Sequence, residues 1–207
     1  MKYYKNDLLK AIFAGIIITI ASLVYLSMDN KIIGSILFNI ALITIVTYEL
    51  NLFTGKIGYL LQENYKYSIK ILIIILGNLI GTITTSYLAL QTRYANKFIQ
   101  KATYLTDIKL SDDAISILIL SIFCGILMYI GVHGYKHIKH EVGKYIVIIL
   151  CVCTFILAGF EHSIANSVYI TLSGSWSLFA IYYFVIMLIG NSIGAIAIAS
   201  IHKAFEK

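Results

Sequence analysis

The sequence predicts an all-α membrane protein with six transmembrane helices, arranged as an inverted three-plus-three repeat with broken second and fifth helices. Three observations predict it. Apolar residues make up 59% of the 207, charged residues only 13%, and the mean hydropathy is +0.87. A soluble domain is nearer half apolar and a quarter charged. Apolar runs of about 20 residues, the length a bilayer demands, recur six times along the chain. Finally, short strings of the first half return in the same order in the second.

The runs fall at about 8–26, 32–50, 69–91, 113–132, 145–170 and 177–201. The stretch 56–67, "KIGYLLQENYKY", is too short and polar to cross alone, and is expected at the interface or as the end of the second span after a break. All 207 residues then form a single domain, with a first repeat over 8–91 and a second over 113–201. No cleavable leader is expected, because the first run is long and lacks a small-x-small site after it. Cys124, Cys151 and Cys153 sit inside apolar runs, which excludes a disulfide framework. The net charge of +6 needs no nucleic acid to explain it, because the basic residues lie in short loops. Eleven of the sixteen Lys and Arg (Lys2, Lys5, Lys10, Lys56, Lys66, Lys70, Lys136, Lys139, Lys144, Lys203 and Lys207) fall on one side of a six-span topology. Lys31, Arg93, Lys97, Lys101 and Lys109 fall on the other. The bias predicts a multi-pass protein of the cell (plasma or inner) membrane with both termini cytoplasmic.

Residues 12–16 read "IFAGI" and 122–126 "IFCGI"; residues 77–81 read "GNLIG" and 190–194 "GNSIG". Glu49 ends the second run and Glu161 interrupts the fifth. Two halves of three spans each are inverted relative to one another, a plan that puts a transport site near the midplane where discontinuous helices meet. The breaks are expected at "ELNLFTGK" (49–56) and "GFEHSIANS" (159–167). The chain has no proline, so Gly55, Gly58 and Gly159 are expected to permit the irregular backbone. Such backbone survives at membrane depth only where protein or a water-filled cavity satisfies it. A pore or carrier follows.

"LFTGK", "GNLIG", "GFEHSIAN" and "GNSIG" together resemble the formate/nitrite transporter family, from about Leu8 to the end of the chain. That resemblance implies an aquaporin-like protomer within a homopentamer, no enzyme activity and no cofactor. It also implies passage of a small anion: formate, nitrite or hydrosulfide, with short monocarboxylates as further candidates. By resemblance His162 is the central pore histidine, Thr54 the threonine facing it, and Asn191 a pore-lining asparagine. Phe38, Leu42, Phe53 and Phe155 fall on constriction positions. The family's lysine before "GIL" is Asp113 here, with Lys109 one turn upstream as its replacement; the asparagine after "GIL" is Tyr129. About ten residues precede the first span, where some members carry an amphipathic gating helix.

The chemistry fits these residue types. Moving a small ion from water into a medium of dielectric about 4 costs on the order of 20 kcal/mol before relaxation, so the pore must either partner the anion or neutralise it. An imidazole, with an unperturbed pKa near 6.5, exchanges protons close to neutral pH. His162 is therefore expected to exchange a proton with the passing anion, with a neutral ring at rest. Lys109 would attract the anion, and Thr54 and Asn191 would offer donors or acceptors. Glu161 reads either as a proton relay or, with Glu49, as a carboxylate tying down backbone N–H groups freed by the break; the second is favoured. His133, His137 and His140 in "HGYKHIKH" have metal-ligand spacing if helical, but a basic loop near lipid head groups is the preferred reading, and no metal is expected. An aquaporin-like neutral-solute channel shares the inverted plan, yet its Asn-Pro-Ala segments need proline. An intramembrane metal enzyme lacks a dense His/Asp set at one depth.

Overall fold

The computed structural model describes residues 2–205. Lys207 and the Lys2 side chain, both counted in the charge bias, lie outside the description. Among the described residues every regular element is helical: α1 (Lys2–Ser27), α2 (Lys31–Thr47), α3 (Phe53–Lys56), a 3-10 turn (Ile57–Gln62), α4 (Tyr65–Ala89), α5 (Ala95–Leu110), α6 (Ala114–His137), α7 (Glu141–Leu157), α8 (Ser163–Leu172) and α9 (Leu178–Phe205). Side-chain caps start several of them. Asn30 accepts the N–H groups of Ile32 and Ile33, Asn64 that of Lys66, and Asp113 those of Ile115 and Ser116. Each cap satisfies donors that the first helical turn leaves free.

Among the described residues four helices are long and apolar enough to cross a membrane: α1 from Tyr4, α4, α6 and α9. The expected second and fifth runs behave differently. α2 and α7 have 17 residues each, short of the roughly 20 a span requires, and each is followed by extended chain and then a second short helix. α2 stops at Glu49, whose φ is +51°, with Leu50 N–H donating to Ile45 O at 2.8 Å. α7 stops at Gly159, φ +73°, with Phe160 N–H donating to Phe155 O at 2.9 Å. A left-handed residue followed by a six-to-one bond back into the last turn satisfies the carbonyls at a helix end. Gly159 thus does what was expected of it. In the first half the left-handed residue is Glu49 itself, whereas Gly55 and Gly58 keep ordinary backbone and provide space. A Cβ on Gly55 would press on Val132, and one on Gly58 on the Tyr129 ring.

The segment 56–67 does not cross on its own; its 3-10 turn packs against α9. The stretch 95–110, expected as loop, is α5. Its buried residues Phe98, Ala102 and Thr106 recur every fourth position, a stripe that docks on α8 beneath a polar outer face. The broadest packing joins α1 to α4 and α6 to α9. Both pairs depend on glycine: a Cβ on Gly15 would run into the Asn78 carbonyl, and one on Gly125 into the Asn191 carbonyl. Small residues that let helices approach to backbone contact are the usual device of membrane bundles. The three cysteines are free thiols.

Candidate functional site at the two helix breaks

His162 ends the extended segment after α7 and caps α8. Its backbone is extended (φ −95°, ψ 107°), and its Nδ1 accepts the Ala165 N–H at 3.0 Å. An acceptor nitrogen carries no hydrogen, so the neutral ring holds its proton on Nε2. Nε2 lies 2.9 Å from Oγ1 of Thr54. The ring therefore donates to the threonine, and the Thr54 hydroxyl keeps its own hydrogen for another acceptor. Thr54 is on α3, the short helix after the first break, and both side chains are almost fully buried. The two breaks bring together residues 108 positions apart.

Phe155 stacks on the His162 ring at 5.5 Å between centroids, and meets Phe38 edge-on at 6.2 Å. Leu42, about one turn beyond Phe38 on α2, is buried in the same core. Phe53 belongs to the same buried core. It lines an apolar groove between α4 and α9, and Leu52, one residue earlier, faces the chamber on the lysine-rich side. The reason is local: Leu52 is still extended, with φ −98° and ψ 131°, while Phe53 has entered the helix and turned away.

Asn191 is spent on backbone. Its amide donates to Ser121 O and Glu161 O, both at 2.8 Å, and its Oδ1 accepts the Ser163 N–H at 3.0 Å. Asn78 repeats the pattern, donating to Ala11 O and Asn51 O at 2.8 Å and accepting the Phe53 N–H at 2.9 Å. One planar amide carries two donors and an acceptor, which suits it to a gap in a helix. These asparagines, rather than the two glutamates, hold the backbone freed at the breaks. Asn191 accordingly has little left to offer a solute.

Glu161 binds side chains. Its carboxylate receives Lys109 Nζ at 2.9 and 2.7 Å and Asn166 Nδ2 at 2.5 Å. The Lys109 and Glu161 side chains are only 13% and 4% exposed, so the lysine reaches down from the end of α5 into a buried ion pair. By their backbone hydrogen bonds the two breaks match differently from the two glutamates. Glu49 corresponds to Gly159, and Glu161 to Asn51, whose amide holds Asp7 at 3.0 Å while Asp7 pairs with Lys70 at 2.8 Å. The Glu49 carboxylate itself is exposed.

A chamber of about 570 Å³ opens on the other side of the Thr54–His162 contact, floored by Leu52 and Gly55. Four lysines line it (Lys10, Lys56, Lys70 and Lys136) against two acids, Asp7 and Glu49. Sequence reading counted these lysines only as topology signals. His133 and His137 lie on α6 rather than in the basic loop expected there, and His140 caps α7; no cluster suited to a metal occurs among the described residues. His133 and His137 stack at 3.8 Å, and Tyr129 stacks on His133 at 4.9 Å.

Comparison with known proteins bears on what this arrangement is. The family model for formate/nitrite transporters matches residues 3–205. Among solved structures, one described as a pentameric formate channel with formate bound aligns with a TM-score of 0.77 at 24% identity, covering 99% of this chain and 96% of that one. Another, described as an FNT family ion channel, aligns with a TM-score of 0.78 at 19% identity, covering 97% and 88%. No curated protein matches the chain. A channel fold shared along nearly the whole chain, with several apolar helices, makes this a multi-pass membrane protein. The chain belongs to the formate/nitrite transporter family.

Proposed function

We propose that the chain forms a channel for small monovalent anions of the formate or nitrite type, with hydrosulfide and short monocarboxylates as the alternative cargo. The observation that carries the reading is the buried Thr54–His162 contact of 2.9 Å. It presents the Thr54 hydroxyl as a buried donor between two helix breaks. The matching asparagine clamps at Asn78 and Asn191 support an inverted three-plus-three protomer, with α2–α3 and α7–α8 as its broken helices. The formate bound in one solved relative, and that relative's pentameric state, support the substrate class and a homopentamer. The lysine-rich end of the molecule supports cytoplasmic termini and an orientation set in the cell membrane.

The anion's path follows from charge. The lysine-lined chamber gathers anions, since a cleft lined by one sign of charge raises the local concentration of counter-ions. Leu52 and the Phe38, Leu42 and Phe155 side chains then strip water from the anion. At the centre it exchanges hydration for the Thr54 hydroxyl, polarised by the His162 Nε2–H that it accepts, and hydrogen bonds to a charged acceptor are about twice as strong as neutral ones. The N-terminus of α8 adds positive potential at the same point. Proton exchange makes a further demand. A proton given up by Nε2 leaves an imidazolate unless Nδ1 is protonated first, and Nδ1 holds the Ala165 N–H. Exchange therefore requires His162 to release its cap on α8.

Uptake of formate, nitrite and hydrosulfide into vesicles, from about pH 5 to 8, with wild type, His162→Asn and His162→Phe tests the reading. Asn keeps an N–H donor and is expected to retain part of the flux, and Phe to abolish it. Unchanged uptake in His162→Phe removes the imidazole from the path. A flux per anion that rises steeply on acidification in wild type and is flat in His162→Asn establishes proton exchange.

A further inference from the structure

Away from the Thr54–His162 contact, the apolar groove that holds Phe53 runs along α9 between α4 and the 3-10 turn. It has a volume of about 530 Å³ and is lined by Phe53, Ile57, Ile75, Ile193, Ile196 and Ala197, among others. That is within the roughly 300–1,000 Å³ usual for organic ligands. The lining changes character along its length. The α9 face continues from Ile193, Ile196 and Ala197 to Ser200 and Lys203, and the opposite wall from Ile57 to Gly58 and Gln62. With Leu61 and Ala204 these last residues enclose a recess of mixed polar and apolar lining, about 220 Å³ in volume. No described acid lies within ion-pair distance of Lys203.

We propose that this groove and the recess beyond its end together form a binding site for one anionic phospholipid, its acyl chain between α4 and α9 and its head group against Lys203 and Gln62. An apolar trough ending in a cation and the Gln62 amide matches an amphiphile with a negative head. The groove opens on the lysine-rich side, and basic residues close to a membrane surface attract anionic lipids. The site reaches the pore through the backbone: Phe53 and Ile57 flank the α3 residue Thr54, so a seated acyl chain packs against the back of the segment that presents the threonine hydroxyl. The groove stands on the helix packing alone and does not depend on which anion passes.

The test uses the full chain purified in mild detergent, with phosphatidylglycerol and phosphatidylcholine as probes and bound lipid per protomer read by native mass spectrometry. Phosphatidylglycerol is expected to be retained at least several-fold over phosphatidylcholine. Lys203→Gln is expected to cut that preference about fivefold, the worth of one basic contact at an anionic surface. Ala197→Trp, which fills the trough, is expected to abolish retention of both lipids. Ile193→Gln, which makes the wall polar without adding bulk, is the second variant should the tryptophan disturb assembly. Equal retention of the two lipids, or retention unchanged in both groove variants, overturns the site. So does an oxidative cross-link between copies carrying Ile193→Cys, which would make the groove an interface between protomers.

Discussion

Replacing Lys109 with methionine separates two roles for that lysine. As the outer-mouth attractor, it would lose anion flux and leave stability nearly untouched. The structure places Nζ 2.7 and 2.9 Å from the Glu161 oxygens, with the two side chains 13% and 4% exposed. Its charge is therefore largely cancelled where an anion would feel it. Removing one partner of a buried ion pair costs about 3–5 kcal/mol, because the other charge stays buried and uncompensated, while replacing both partners with apolar groups of similar volume is often close to neutral. Lys109→Met is expected to destabilise by about that amount, with Asn166 the sole remaining partner of the carboxylate. The double variant Lys109→Met with Glu161→Met is expected to recover at least half of the loss. Equilibrium unfolding in mixed micelles measures both. A Lys109→Met protein as stable as wild type but with flux reduced tenfold refutes the ion-pair account and restores the lysine as an attractor.

Other expectations rest on single contacts. Asn78→Ala and Asn191→Ala each leave one non-helical carbonyl (Asn51 or Glu161) and one N–H (Phe53 or Ser163) without the asparagine, at about 1–3 kcal/mol per buried group; both are expected to lose the assembled protein on size exclusion, and intact assembly would contradict the clamp. Lys56→Gln with Lys136→Gln is expected to lower anion uptake severalfold at low ionic strength and much less near 0.15 M salt, where screening acts within about 8 Å. Salt-independent loss would point to a folding defect. Glu49→Gly is expected to gain up to about 1 kcal/mol, because an L-residue in the left-handed region costs about 1–2 kcal/mol and glycine returns part of that as chain entropy. Gly159→Ala should lose a similar amount, and equal stability of both variants would contradict the strain argument.

Much of this was legible in the sequence for physical reasons. The repeated Gly-Asn-x-x-Gly strings mark close helix packing and the paired asparagines together, and Glu161-His162 inside hydrocarbon marks a break. What those residues do was less legible. Glu49 and Glu161 looked equivalent because both interrupt apolar runs, but equivalence belongs to backbone hydrogen bonds, which pair Glu161 with Asn51. Asn191 was expected in the pore by family resemblance alone; its three bonds to backbone are a structural demand that no motif distinguishes from a pore role. Phe53 and Leu52 differ by one residue, and only the point where α3 begins decides which faces the chamber. α5 was missed because Phe98, Ala102 and Thr106 form a stripe too thin for hydropathy to register.

The central claim is that His162 meets the anion as a neutral ring, with Nε2–H toward Thr54 and Nδ1 closed by the Ala165 N–H. Nitrogen NMR of the His162 ring in bilayers, with formate added, tests it most directly. The account predicts a protonated Nε2 whose signal moves on formate addition, beside an unprotonated Nδ1 that does not move. A ring protonated on Nδ1, or one that ignores formate at concentrations supporting transport, would contradict it.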